Sequence, residues 1–330
     1  MTEGDQRELE KTQSRSLFFR GRRGLLTITL FWCVGALSLG FAVAAPRITV
    51  PPPAKSRLII PAETVEKVGA SNYRKLVTRA RRAKRLLPKN DPRYRSLSRI
   101  MKRMIPFAES YNPRAALWKW ELAVIRGDQV NAACFPGGKI FFYTGIIDKL
   151  ELSEAERAAV MGHEMAHALW EHGREQLAKG GLVRGLGRAF STLTGLPLSR
   201  LLADLSSRLL TLKFSRSNET EADLIGLEIM ARAGFEPRAS LSLWEKMSGL
   251  HAQKQENAAK RIPQNEEVPK SRFGRIKRWI GQKARQISTQ AAVHLSTWWS
   301  THPRSEARRE KLQEQLPLAR QIYEVSRRQE

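Results

Sequence analysis

The stretch Glu154-Ala155-Glu156-Arg157-Ala158-Ala159-Val160-Met161-Gly162-His163-Glu164-Met165-Ala166-His167-Ala168-Leu169-Trp170 decides how this chain reads. No proline interrupts it, and its apolar residues recur at helical spacing, which predicts a largely buried helix. His163 and His167 are four residues apart and share one face of such a helix. Two imidazoles so placed can take a single Zn²⁺ between them. Glu164 is badly angled for a third ligand but well placed to reach a water beside the metal. A buried pair of hydrogen-bonded histidines would account for the spacing alone. A metal site needs a further donor from another part of the chain.

The run Ser215-Arg216-Ser217-Asn218-Glu219-Thr220-Glu221-Ala222-Asp223-Leu224-Ile225-Gly226 offers that donor. On a predicted helix Glu219 and Asp223, four apart, share a face. Glu219 can be the third zinc ligand, and Asp223 can accept the outer N–H of a ligand histidine and fix its tautomer. Glu221 is predicted on the opposite side, as a solvated or salt-bridged residue. His-Glu-x-x-His followed by Arg-x-x-Glu-x-Glu-Ala-Asp-x-x-Gly resembles the gluzincin metallopeptidase family of HtpX, the CAAX prenyl endopeptidases and the mitochondrial inner-membrane stress protease. The bacterial periplasmic LoiP/BepA branch is the expected nearest kin. The resemblance covers roughly residues 118–312, interrupted by a basic insert at 251–293. It implies an α+β, mainly helical zincin-like domain with a small sheet, one zinc ion per chain and polypeptide substrates, drawn from misfolded or damaged envelope proteins.

Upstream of the zinc helix, residues 118–125, 130–135 and 139–145 read as strands, with Pro136-Gly137-Gly138 as a turn. Asn131-Ala132-Ala133-Cys134-Phe135-Pro136-Gly137-Gly138 is similar to the family pattern just before the zinc helix. In zinc peptidases of this kind a substrate strand adds to a sheet edge, and that role falls here to Asn131, Ala132, Ala133 and Cys134. A plain structural hairpin is the alternative. His172, five residues past His167, reads as a capping or supporting histidine. Residues 182–212 read as core or as a mobile lid. Downstream, His302-Pro303 with Arg308 six residues after the histidine resembles a family element beside the metal. By that resemblance His302 and Arg308 are catalytic: they stabilise the oxyanion or gate the zinc.

Composition adds partners. Lys and Arg number 57 against 32 Asp and Glu, a formal charge of +25, which predicts acidic partners or an anionic membrane face. Residues 1–23 form a basic n-region, 24–45 an uncharged run long enough for a membrane anchor or signal peptide, 46–62 a proline-containing linker and 63–330 the peptidase domain. Residues 63–111 read as two basic amphipathic helices broken near Pro88 and Pro92, and residues 313–330 as a peripheral charged helix. Phe273, Ile276, Ile280, Ala284 and Ile287 make one apolar stripe among cations, which suits an anionic lipid surface and equally a plain surface helix or disordered insert. No nucleic-acid module appears, so nucleic acid is not an expected partner. Cys33 and Cys134 are the only cysteines and predict no structural disulfide. The expected location is the bacterial inner membrane with the catalytic domain in the periplasm, or the mitochondrial inner membrane in a eukaryote. The rival reading is a non-enzymatic, metal-stabilised chaperone or binding protein with a basic surface.

Overall fold

A computed structural model describes residues 46–179, 209, 212–260, 298, 302 and 305–328, with backbone alone for 251 and 253–260. Its helices are α1 (Ala62–Arg82), α2 (Pro92–Met104), α3 (Thr144–Lys149), α4 (Glu154–Leu169), α5 (His172–Lys179), α6 (Arg216–Arg232), α7 (Ala239–Lys260) and α8 (Glu306–Arg327). The strands are β1 (Glu121–Ile125), β2 (Ala132–Phe135) and β3 (Lys139–Tyr143). The expected α+β, mainly helical fold with a small sheet is what forms.

The helix α4 starts on a capping box that satisfies its first free N–H groups. Ser153 Oγ accepts from Glu156 N, and Glu156 returns its carboxylate to Ser153 N at 2.8 Å. From Ala158 to Leu169 every residue is buried, as expected for a helix with apolar residues on all sides. Leu97, Ile100 and Met104 of α2, Phe142 of β3 and Ile229 and Met230 of α6 belong to the same apolar core as its Val160, Met161 and Met165.

The approach of α4 to α6 is set by two glycines. A Cβ on Gly226 would lie 2.7 Å from His163 N, and one on Gly162 would lie 2.7 Å from Gly226 O. Only backbones without side chains can come this close. The contact falls beside His163, so it is what brings the second motif to the first. α6 has its own capping box, from Ser215 to Asn218.

The sheet order is β1-β3-β2, with β1 parallel and β2 antiparallel to β3. Gly137 and Gly138 make the tight β2–β3 turn at φ +86° and +73°, a region open to glycine at little cost. β2 is the edge strand next to α4.

Two expectations change. Residues 46–50 are extended but not a free linker: Ile48 is 1% exposed within the core, and its N–H donates to the buried Glu228 at 2.7 Å. Nor is the C-terminal helix peripheral. Arg308, Leu312, Ala319 and Ile322 of α8 are buried, one narrow stripe that the charged majority of the helix hides in the sequence. The break between α1 and α2 falls where Pro88 and Pro92 predicted it. Residues 1–45, the lid candidate at 182–208 and the amphipathic stripe at 273–287 lie outside the described residues. Among the described residues no helix is long and apolar enough to cross a membrane.

Candidate active site

α4 contributes His163, Glu164 and His167, α6 contributes Glu219, Glu221 and Asp223, and His302 comes from the segment before α8. His163 Nε2 lies 3.1 Å from His167 Nε2, 3.7 Å from Glu219 Oε2 and 3.2 Å from His302 Nδ1. Glu219 Oε1 lies 3.4 Å from His167 Nε2 and 3.0 Å from His302 Nδ1. Donors set tetrahedrally about 2.0–2.1 Å from a zinc ion would be about 3.3 Å from one another. The five separations straddle that value.

Protons explain part of the convergence: against burial, the Glu219 and Glu164 carboxylates hold His302 above the usual imidazole range, and its Nδ1–H can donate to Glu219 Oε1 at 3.0 Å. Asp223 Oδ1 is 2.9 Å from His163 Nδ1 and takes that nitrogen's proton as a hydrogen bond, so Nε2 presents a bare lone pair. The Nε2 lone pairs of His163 and His167, 3.1 Å apart, repel unless a proton or a metal cation lies between them. Burial holds His167 well below the usual imidazole range, so it is neutral, as a ligand must be. Burial alone would raise the Glu219 carboxyl, but His302 and His167 outweigh it and hold it well below the usual range. Burial likewise opposes Asp223's ionisation, and the Arg308 charge and the His163 hydrogen bond overcome it. The donor set therefore fits Zn²⁺.

The surrounding residues fix these rings. Phe214 stacks on His167 with centroids 3.9 Å apart. Arg308, 1% exposed, gives two hydrogen bonds to Asp223, at 2.7 and 2.8 Å, and pairs with Glu219 Oε2 at 2.7 Å. Its guanidinium is thus committed to two carboxylates, which corrects the expectation that it serves an oxyanion. His302 sits at the fourth corner of the donor set, where the sequence reading left a position for water. Its Nε2 is 3.6 Å from Glu164 Oε1. Burial raises the Glu164 carboxyl above its usual range, against the pull of His302 and His163.

Trp298, Phe214 and the pairing of Glu221 with His172 escaped the sequence reading. Trp298 Nε1 donates to Glu164 Oε1 at 2.6 Å, and its backbone N–H donates to Val130 O at 2.8 Å. The one available signal was its position a helical turn before His302, whose N–H donates to Trp298 O at 3.0 Å. Glu221, expected on the far side of α6, bonds His172 Nε2 at 3.0 Å. Asn131, Ala132, Ala133 and Cys134 line one cavity with Glu164, His167 and His302. Cys134 is a buried free thiol, and burial pushes it above its usual range.

The profile of peptidase family M48 matches residues 92–316. The chain belongs to that family. M48 peptidases use zinc, and among the described residues the buried His163, His167, Glu219 and His302 form a group able to hold it. Against the mitochondrial metalloendopeptidase OMA1 of Schizosaccharomyces pombe the chain is 35% identical over 222 residues, 65% of this chain and 60% of the relative. Against that of Saccharomyces cerevisiae it is 32% identical over 211 residues, 63% and 50% of the two chains. The beta-barrel assembly-enhancing protease of Escherichia coli is 28% identical over 133 residues, 38% and 27% of the two. The chain therefore spans half to three fifths of the two yeast relatives. The M48 membership upholds the family resemblance, but the comparisons do not support the expected nearness to the LoiP/BepA branch. The motifs quoted for the resemblance were attributed to the whole family, so they carried no information about the branch.

Proposed function

We propose that this chain is a zinc-dependent metalloendopeptidase that cleaves unfolded or damaged polypeptides at a membrane. The observation that carries this reading is the placement of an edge strand beside a convergent metal-ligand set and a buried carboxylate. Asn131–Cys134 border the cavity that also holds Glu164, His167 and His302. A substrate added there as an extended strand would be held by main-chain hydrogen bonds, independent of its side chains.

His163, His167 and Glu219 would hold the metal. Zinc, when bound, supplies a Lewis acid that polarises the scissile carbonyl and makes water more acidic. Glu164 accepts the proton of the attacking water and returns it to the leaving amine. Its buried setting raises its carboxyl towards the range where both transfers are possible. Asp223 orients His163, and Arg308 orients Asp223 and Glu219. His302 gates the site: with Trp298 it covers Glu164, the fourth donor corner and the carbonyl of Val130, all of which a substrate needs.

The mitochondrial relatives favour the mitochondrial inner membrane over the bacterial periplasm, with residues 24–45 as anchor and 1–23 as its basic flank. The test is digestion of casein by the purified full chain. Cleavage should stop with a chelator and return with added zinc. Absence of cleavage, or cleavage indifferent to chelation, would sink the reading.

A further inference from the structure

The two zinc-facing histidines are supported differently. His163 passes its outer proton straight to a carboxylate, Asp223. Among the described residues no carboxylate meets the outer nitrogen of His167. Its Nδ1 lies 3.0 Å from Nδ1 of another imidazole, His172, whose Nε2 lies 3.0 Å from Glu221 Oε2. His172 is 0% exposed, so neither of its nitrogens is left to solvent.

The direction of this chain of bonds follows from its end. A carboxylate only accepts, so His172 Nε2 carries the proton and donates to Glu221. In a neutral His172, Nδ1 is then a lone pair and accepts from His167 Nδ1–H. That leaves His167 Nε2 bare, facing His163 and Glu219. With no acceptor at Glu221 nothing selects this tautomer: His172 can turn its proton towards His167, which then carries its own on Nε2.

The backbone is shaped to make the contact. Glu171 takes φ +59°, a left-handed conformation uncommon for residues with a Cβ. Arg57 Nε and Arg174 Nη1 hold its carboxylate at 2.8 Å each. This turn ends α4 and begins α5 at His172, folding that ring back onto His167.

We propose that Glu221, acting through His172, sets the tautomer of His167 and is a positioning residue of the metal site. This rests on the metallopeptidase reading above. It goes against the prediction from α6 periodicity that Glu221, opposite Glu219, has no part in metal binding.

The test compares the full chain with Glu221→Ala and Glu221→Gln. Zinc affinity is measured by competition with a chromophoric chelator, and the visible spectrum is recorded on the cobalt-loaded proteins. Glu221→Ala leaves the buried His172 Nε2–H without this acceptor and is expected to melt somewhat lower than Glu221→Gln without metal, so affinities are compared at a temperature where both variants are folded. Glu221→Ala should weaken zinc binding about 10- to 100-fold, as loss of an outer partner does, and should alter the cobalt bands. Glu221→Gln still offers a carbonyl oxygen to His172 and should restore most of the affinity and the spectrum. Equal affinity in Glu221→Ala and the unmodified chain would overturn the proposal while leaving the metallopeptidase reading intact. Failure of Gln to rescue would also overturn it, since charge rather than hydrogen-bond acceptance would then be at work. If the unmodified chain binds no zinc, both readings fall.

Discussion

At the scale of single residues, Glu164 and His302 touch the same space but are expected to respond oppositely to substitution. Glu164→Gln preserves shape and the indole contact from Trp298 but cannot take a proton. Casein cleavage should fall at least about 10²-fold, the usual contribution of a general base, with zinc content unchanged. Near-normal cleavage would exclude Glu164 as the base. His302→Ala instead removes the fourth donor corner while keeping His163, His167 and Glu219. If His302 gates, cleavage at saturating zinc should rise. If it stabilises the oxyanion, cleavage should fall. The geometry favours the gate, because His302 Nδ1 is bonded to Glu219 at 3.0 Å.

Between elements, the decisive feature is the crossing of α4 and α6 at Gly162 and Gly226. A methyl group at position 226 would meet His163 N and Gly162 C, both at 2.7 Å and both backbone atoms that cannot swing aside. Gly226→Ala must therefore push the helices apart. Overpacking of this kind costs about 1–3 kcal/mol, which a urea-unfolding midpoint would read. The shift also moves Glu219 away from His163, so zinc affinity should fall with stability. A variant as stable and as tight for zinc as the parent would show that the glycines do not set the ligand geometry.

Over the molecule as a whole, the segment that follows residues 24–45 is bound to the same helix that carries Glu219 and Asp223. Ile48 N donates to Glu228, and Arg232 bonds both Glu228 at 2.8 Å and Pro46 O at 2.9 Å. Glu228 is buried, so it depends on these partners. Ile48→Ala empties a core position and should cost about 2–5 kcal/mol, far more than expected of a free linker. Thermal or urea unfolding of the full chain measures it. A change within about 0.5 kcal/mol, the range of surface substitutions, would mean the segment is held loosely.

The sequence by itself determined the two helices that carry the site, their faces and the candidate donors His163, His167 and Glu219, because helical periodicity is local and a side chain's face follows from its number. It also carried the family, the sheet's three strands and the β2–β3 turn. It could not determine what lies across from each face. Glu221 was assigned by its angle on α6 to solvent or a salt bridge, but its partner was not legible: the left-handed turn at Glu171 brings His172 around to meet it. Arg308 looked like a catalytic cation until α8 was seen to bury it against Asp223 and Glu219. Trp298 offered no signal beyond its place four residues before His302. Ile48 and Ala319 read as linker and periphery because one or two buried residues among many charged ones leave no periodic signal. In each case the partner is distant in sequence, and only the packing of one element on another decides whether a polar group faces water, a metal or another charge.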